Sequence, residues 1–310
     1  MDTTPPPTTS QHLFARLNQA AEALWEPLGH MWQAHRQQHP SNPSEHAQSG
    51  VVLDVLAEVD STNTALMQRA RGGDTTPALM VALTQTAGRG RMGKAWQSAP
   101  GSSLTFSVSV PLNPVNWSGL SLAVGVGVVE GLLALHRSAG IPGGDTPPLQ
   151  LKWPNDVWVY QTKLGGILVE TAHIGAARQV VVGIGINLLT LPVAPTPPAA
   201  TNPLAPVPPA AWADWMPDTD AADMLQSVAP SVLRALLQFE REGFVAFQAR
   251  FAQMDALAGL PVVLSDGSSG MARGVNAVGE LLIEGPHGVR TLHSAEVSIR
   301  PRHLMAGPPC

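Results

Sequence analysis

The chain has 310 residues, 44% of them hydrophobic, which is enough to bury the core of one large domain or of two unequal ones. A net charge of −5 argues against a general nucleic-acid-binding protein, because such proteins usually carry a basic surface. The only cysteine is the last residue, Cys310, and the N-terminus lacks a secretory signal pattern, so we expect a cytoplasmic protein without internal disulfides or a membrane segment.

Residues 1–50 are predicted to be a tail or linker, partly helical or disordered and with few packed contacts. Prolines open this segment, proline and turn-forming residues close it, and residues 12–35 between them could form one or two helices. Histidines 30, 35 and 39 have loosely helical spacing. A solvated helix face is favoured over a metal site there, because no other ligand residues accompany them.

From Val51 onward the pattern alternates between strands and helices. Leu104, Phe106, Val108 and Val110 alternate with hydroxyl residues, as expected for a strand. A helix is predicted from an N-cap near Ser118 to Gly140. The first predicted strand begins at Val51, and the others cover 78–86, 102–110, 149–159, 163–172 and 178–189.

The C-terminal third predicts helices and then a second, small domain. Residues 192–217 are rich in Pro and Ala and are expected to form a surface loop. Residues 231–255 have amphipathic helical patterning, and 258–305 read as short strands separated by glycine-containing turns. We therefore predict an α/β domain over 51–257 and an all-β domain over 258–305.

The stretch TQTAGRGRMGKAW, residues 84–96, resembles a phosphate-binding P-loop in its spacing only. Ala95 stands where a P-loop needs a hydroxyl, and Pro100 and Gly101 prevent the helix that should follow. The glycines instead allow close backbone approach, and Arg89, Arg91 and Lys94 would repel one another without an anion. This favours a loop that orders around a polyanion such as a nucleotide triphosphate, with a solvated basic loop as the alternative.

A second polar cluster interrupts the apolar strand LKWPNDVWV, residues 151–159. Lys152, Asn155 and Asp156 surround Pro154, where a buried strand should be apolar. Lys163 follows, with Gly165 and Gly166 leaving room for a ligand beside the backbone. The cluster indicates a site, with a turn at the strand end as the alternative.

These motifs, in this order, resemble those of bacterial biotin–protein ligases, also called biotin–[acetyl-CoA carboxylase] ligases. The resemblance covers about Val51 to Arg302 and includes DSTN (60–63), the glycine-rich loop, LKWPNDVWV, KLGGILVE (163–170) and GIGINL (183–188). It implies an α+β fold, with a mixed sheet and helices related to class II tRNA synthetases and a C-terminal SH3-like barrel.

The resemblance also implies a two-step reaction. The carboxylate of biotin attacks the α-phosphate of ATP, with Mg²⁺, to give biotinoyl-5′-AMP and pyrophosphate. A lysine of a biotin carboxyl carrier protein then takes the biotinoyl group as an amide, and AMP leaves.

Site residues follow from the same resemblance. Lys163, Arg91 and Asp156 are the implied catalytic residues, and Asp156 is also the candidate magnesium ligand. The implied biotin-binding residues are Ser61, Thr62, Asn63, Gln85, Gly88, Arg89, Gly90, Arg91, Lys163 and Gly166. The implied ATP-binding residues are Arg89, Arg91, Lys94, Trp96, Asn155, Lys163 and Asn187.

Some of these residues also have plainer explanations. Ser61 or Thr62 could cap the helix that follows, and Trp96 could be a core aromatic. The family often has Arg where this chain has Lys94, which puts a bidentate contact there in doubt.

Three other functions compete with this one. A lipoate–protein ligase shares the fold and the adenylation chemistry. A biotin-sensing repressor would need an N-terminal helix-turn-helix module, for which residues 1–50 offer too few helices. A nucleic-acid-binding protein conflicts with the acidic net charge. We expect a ligase that does not bind DNA, as a monomer or homodimer.

Overall fold

A computed structural model describes residues 8–38, 50–140, 147–174, 177–190, 209–264, 266–293 and 300–301. The helices within these ranges are α1 (Thr9–Gln38), α2 (Thr62–Arg71), α3 (Leu120–Ser138), α4 (Ala221–Glu242) and α5 (Val245–Met254). The strands are β1 (Val52–Val59), β2 (Ala78–Gln85), β3 (Ser103–Pro111), β4 (Leu149–Lys152), β5 (Asp156–Val159), β6 (Thr162–Ile174), β7 (Ala177–Asn187), β8 (Pro261–Val263), β9 (Ser269–Val275), β10 (Leu281–Gly285), β11 (Gly288–Leu292) and β12 (Arg300–Pro301).

A seven-stranded mixed sheet forms the centre of the larger domain. Its order is β1-β2-β3-β7-β6-β5-β4, with β1 and β2 parallel and the other neighbours antiparallel. The face with Leu104, Phe106 and Val108 of β3 packs in one large core with α3 and α4. The opposite face receives α2, through a smaller cluster that includes Leu66 and Met67. Since successive strand residues point to opposite faces, the hydroxyl residues of β3 face the α2 side.

Helix α3 has the length and composition of a membrane-spanning helix. Its most apolar window has a mean hydropathy of 1.5, but 61% of that window is buried within the protein. Close packing explains this composition, because a Cβ added at Gly127 or Gly131 would lie 2.9 Å or less from atoms of α4. The helix is therefore apolar on several sides because it lies between the sheet and α4.

The C-terminal strands form a separate five-stranded antiparallel sheet of order β11-β10-β9-β8-β12. It joins the larger domain at the turn that follows β4, where the indole N–H of Trp153 donates to the carbonyl of Gly279 at 3.0 Å. Gly279 has φ +81°, and a Cβ there would lie 2.7 Å from the Cα of Gly119. The mixed sheet with helices and the small all-β sheet confirm the predicted α+β fold class.

Three local predictions were wrong. The segment 149–159 is a hairpin of β4 and β5 rather than one strand, because Pro154 lacks a backbone N–H for the ladder and lies in the turn between them. Helix α3 is preceded by Gly119 in a left-handed conformation, with no capping side chain at Ser118. Of the predicted surface loop 192–217, residues 192–208 lie outside the described ranges, but Trp212 is fully buried.

Residues 9–38 form one long, packed helix, which corrects the expectation of a tail with few contacts. Leu17, Leu24, Leu28 and Trp32 join the main core, and α1 packs against α4 and β1. His35 binds Glu240 of α4, with 2.5 Å between its Nε2 and Oε2. The Nε2 atom of this histidine is therefore used in a contact between α1 and α4. His39 lies outside the described residues.

Trp32→Ala tests the packing of α1. Trp32 is 0% exposed, so truncating it should lower the free energy of unfolding by about 3–5 kcal/mol. Trp25 lies on the same helix and is 57% exposed, so Trp25→Ala should change stability by less than about 0.5 kcal/mol. Chemical denaturation measures both. Equal, small effects would contradict the packed position of the helix.

Asp255→Asn tests a desolvated charge at the junction between α5 and β8. Burial raises the pKa of the Asp255 carboxyl above its ordinary 3.8, although the backbone of Leu257 and Ala258 donates to it. Because the pKa is raised in the folded state, the protonated carboxyl does not destabilise the fold at acid pH. The charged carboxylate does destabilise it, and this loss of stability develops as the pH rises through that pKa. The variant should match the wild type at acid pH and melt at a higher temperature near neutrality.

Asp266→Asn is the control, because Asp266 is exposed and hydrogen bonds from the side chain and backbone of Ser268 lower the pKa of its carboxyl. Melting temperatures measured across the pH range should show no gain for the control at neutral pH. A gain for Asp255→Asn that is independent of pH would refute the electrostatic explanation.

Candidate functional site

A cavity of about 220 Å³ lies over the middle of β6 and β7, beneath the glycine-rich loop. Most of the residues that the sequence assigned to a site line it together. They are Ser61, Thr62, Asn63, Gln85, Arg89, Gly90, Arg91, Lys94, Trp96, Asn155, Asp156, Lys163 and Gly166.

Glycines clear the floor of this cavity. Gly166 pairs with Gly185 across β6 and β7, and Gly183 lies two residues away on β7. A Cβ at Gly185 would lie 2.4 Å from Cε2 of Trp96, and one at Gly183 would lie 2.4 Å from Oδ1 of Asn63. The indole and the amide can therefore lie directly on the sheet only because these strand positions carry no side chain.

One end of the cavity is a buried hydroxyl and amide network. The backbone N–H of Thr62 donates to Oε1 of Gln85 at 2.8 Å, and the Thr62 hydroxyl lies 2.7 Å from that of Ser107. Ser107 donates in turn to Oδ1 of Asn63 at 2.8 Å. Ser61 is the N-cap of α2 and accepts from Thr64 N, as its sequence position predicted. Such paired donors and acceptors suit a small polar group such as a urea.

The three cations of the glycine-rich loop have different partners. Arg89 donates to Oε1 of Glu170 at 2.7 Å and to the hydroxyl of Thr64 at 3.1 Å. Arg91 donates to Oδ1 of Asn155 at 3.1 Å, and burial lowers the pKa of its guanidinium, an effect that Asp156 opposes. Lys94 is exposed. Arg91 therefore points toward Asn155 and Asp156, while Arg89 is held at the base of the loop.

At the other end of the cavity, two lysines approach one carboxylate. Nζ of Lys163 lies 2.8 Å from Oδ1 of Asp156, and Nζ of Lys152 lies 4.0 Å from Oδ2. Lys163 is also 6.0 Å from the ring centre of Trp96. Because Lys152, Lys163 and Arg91 line this part of the cavity with a single carboxylate, Asp156, the excess of positive charge suits an anion.

Two predicted site residues do not line this cavity. Gly88 lies in the loop stem, where it accepts from Trp96 N at 2.8 Å and has no room for a Cβ. The amide of Asn187 donates to the carbonyl of Ala210 at 3.1 Å and to that of Lys163 at 3.4 Å. Asn187 therefore ties the segment after the Pro-rich run to β6, and its predicted ligand contact is not part of this arrangement.

Lys152, from the predicted polar cluster around Pro154, lines the cavity beside Asp156. Two further residues belong to the site although the sequence predicted no role for them. Ser107 is fully buried in the polar network, and Glu170 binds Arg89. Their signals were weak but present. Ser107 belongs to the alternating hydroxyl face of β3, and Glu170 is the single acidic residue of β6.

Asp156 is the carboxylate in this site that could hold a magnesium ion. Among the described ranges, no cluster of three or more His, Cys, Asp or Glu side chains could form a metal site by itself. Magnesium is commonly bound by one or two carboxylates together with substrate phosphates. The donor set fits that mode, in which a bound nucleotide supplies the other oxygens.

Comparisons with known proteins give a consistent result. Residues 55–187 match the model of the biotin/lipoate A/B protein ligase family. The chain is 32% identical to a biotin–[acetyl-CoA-carboxylase] ligase of Paracoccus denitrificans, over 78% of this chain and 98% of that protein. It is 34% identical to the bifunctional ligase/repressor BirA of Escherichia coli, over 81% of this chain and 75% of that protein.

A solved structure shares the fold. The biotin protein ligase of Aquifex aeolicus in complex with biotin and ATP superposes with a TM-score of 0.62 at 29% identity. The match covers 81% of this chain and 99% of that one.

Gly185→Ala tests the close contact on the cavity floor. The added methyl group would overlap the Trp96 ring, so we expect a loss of about 1–3 kcal/mol in the free energy of unfolding. Adding Trp96→Ala should remove most of that loss, since the two side chains would no longer compete for the same space. Gly285→Ala is the control, because a Cβ at that strand glycine meets nothing within 4 Å. Additive losses in the double variant would contradict the contact.

Proposed function

The chain belongs to the biotin/lipoate A/B protein ligase family, and we propose that its cavity is the active site of a biotin–protein ligase. Such an enzyme activates biotin with ATP to biotinoyl-5′-AMP and transfers biotin to a lysine of a carrier protein. The observation that carries the proposal is one cavity with a hydroxyl and amide network at one end and Lys163, Arg91 and Asp156 at the other.

The polar end suits the ureido ring of biotin. A buried urea needs acceptors for two N–H groups and donors for its carbonyl, and an unmatched group would cost about 1–3 kcal/mol. Ser61, Thr62, Asn63 and Gln85 provide hydroxyl and amide groups around this part of the cavity. Gly166 lines the cavity without adding a side chain to its floor, which leaves room for the fused rings and the aliphatic chain.

Lys163 stands at the reacting centre in this proposal. Its ammonium is paired with Asp156 at 2.8 Å before substrates are present. A biotin carboxylate and an ATP α-phosphate placed beside it would add negative charge on the other side of the same group. A fixed ammonium there stabilises the charge that develops as the carboxylate oxygen attacks phosphorus and pyrophosphate leaves.

The nucleotide end combines a cation, an aromatic ring and a carboxylate. Arg91, oriented by Asn155, would grip the phosphates, and Lys94 adds charge from the exposed side of the loop. Trp96 lies against Gly185 of β7 and would offer its ring to adenine. When bound, Mg²⁺ neutralises phosphate charge, with Asp156 as the residue that would hold it. Asn187 would support the adenine side by fixing the 209–210 backbone rather than by direct contact.

The transfer step needs a neutral amine on the acceptor. Asp156 can orient that amine and accept its proton as the amine attacks the acyl carbon and AMP leaves. The acceptor is a carboxylase subunit or domain that carries the modified lysine, in keeping with the names of the relatives. A monomer or homodimer remains the expected assembly.

A combined ligase and repressor is the second candidate, because the E. coli relative is named as both. A helix-turn-helix module needs two helices joined by a short turn. The described residues 9–38 form a single helix packed against the ligase core and therefore do not make up such a module.

Exchange of labelled pyrophosphate into ATP tests the assigned reaction. Exchange should require biotin and Mg²⁺ together, because only reversible adenylation of a carboxylate returns pyrophosphate to ATP. Parallel reactions with lipoate and with no acid serve as controls. Exchange that depends on lipoate and not on biotin would overturn the substrate assignment.

Lys163→Arg tests whether the shape of the cation matters as well as its charge. Arginine replaces a compact ammonium with a broad planar group, which should misplace the reacting atoms. A displacement of about 1 Å can cost on the order of 100-fold in rate, so we expect adenylation to slow by about that factor. Transfer from supplied biotinoyl-AMP should suffer less, because the α-phosphate is then only a leaving group.

Single-turnover kinetics can time the two half-reactions separately. Adenylation by a folded Lys163→Arg variant at the wild-type rate would remove Lys163 from the reacting centre.

A further inference from the structure

Glu170 has no role in the reaction described above, yet it connects two walls of the cavity. It lies on β6, and both carboxylate oxygens are engaged. Oε1 accepts from Nη2 of Arg89 at 2.7 Å, and Oε2 accepts from Nδ2 of Asn63 at 2.9 Å. The side chain is only 21% exposed, whereas that of Arg89 is 46% exposed.

The first contact fixes the base of the glycine-rich loop. Arg89 is held from two sides, by Glu170 on the sheet and by the hydroxyl of Thr64 on α2. The loop continues from this point through Gly90, whose N–H donates to the carbonyl of Lys94 at 2.7 Å. A charge-assisted contact therefore anchors the loop stem directly before the segment that carries Arg91.

The second contact continues into the polar end of the cavity. Asn63 accepts from Ser107, Ser107 contacts Thr62, and Thr62 contacts Gln85. Asn63 also lies against Gly183, where no side chain could fit, so it has little freedom to move. A continuous series of hydrogen bonds thus links the loop stem with the residues assigned to the ureido ring.

We propose that Glu170 is a positioning residue that holds the glycine-rich loop in register with the biotin end of the cavity. It acts through Arg89 and Asn63 and does not touch the reacting atoms. Its loss should free Arg89, let the loop stem move and speed the escape of biotinoyl-AMP. The inference rests on the proposed function, since it concerns retention of that intermediate.

The experiment is a double-mutant cycle on Glu170→Gln and Arg89→Met. The readouts are the dissociation rate of biotinoyl-AMP, the KM for biotin and the rate of transfer from saturating supplied biotinoyl-AMP. Each single variant should raise the dissociation rate about tenfold, as expected for losing a partly exposed charge-assisted contact. The double variant should be no worse than Arg89→Met alone, because both remove the same contact.

In the Glu170→Gln variant, transfer at saturation should stay within about twofold of wild type, since Glu170 is remote from the acyl carbon in this scheme. A residue needed only for folding would slow every step. Glu284→Gln is the matched control, because Glu284 pairs with Arg273 on the C-terminal sheet away from the cavity.

The outcomes separate this inference from the proposed function. If the wild-type enzyme forms no biotinoyl-AMP, both the proposed function and this inference are overturned. Suppose instead that the wild-type enzyme retains the intermediate. If the Glu170→Gln variant then releases biotinoyl-AMP at the wild-type rate, or if the effects of the two substitutions are additive, the role of Glu170 alone is overturned. If Glu170→Gln does not fold, Arg89→Met probes the same contact from its exposed side, and unchanged release there also overturns the inference.

Discussion

The site depends on close approach to a sheet surface that carries no side chains. Gly166, Gly183 and Gly185 lie at neighbouring positions of β6 and β7. Glycine weakens a strand interior, and these two strands tolerate it because β3 and β5 flank them in a wide, well-paired sheet. The cleared surface lets Trp96 and Asn63 lie against the backbone, which brings the glycine-rich loop and the start of α2 to the same cavity.

Charge is distributed over that cavity in an ordered way. Arg89 is neutralised by Glu170 at the loop stem, whereas Arg91 and Lys163 surround the position assigned to the phosphates. Asp156 offsets the charge of Lys163, and Lys152 lies within 4.0 Å of the same carboxylate. Asp156 therefore holds Lys163 in place and keeps a second ammonium, that of Lys152, nearby. This arrangement limits repulsion among the cations and keeps them available to a polyanionic ligand.

The sequence predicted what local chemistry determines and failed where distant contacts decide. Ser61 was a foreseeable helix cap, and the strand before the loop follows from its apolar run. Trp32 could not be assigned to the core, because its burial depends on α4, about 200 residues later in the chain. Asn187 sits in a motif that suggested a ligand, but the backbone of Ala210 takes its amide. The role of Glu170 depends on its contacts with Arg89 and Asn63. Both residues lie far from it in the sequence, so no spacing rule predicts these contacts.

Native mass spectrometry of the enzyme after incubation with biotin, ATP and Mg²⁺ tests the central claim most directly, namely that this cavity makes and retains an acyl-adenylate. The account predicts one biotinoyl-AMP per chain, present only when all three components are supplied and lost when an acceptor carrier protein is added. An unchanged protein mass, or a bound nucleotide without the biotinoyl group, would contradict it.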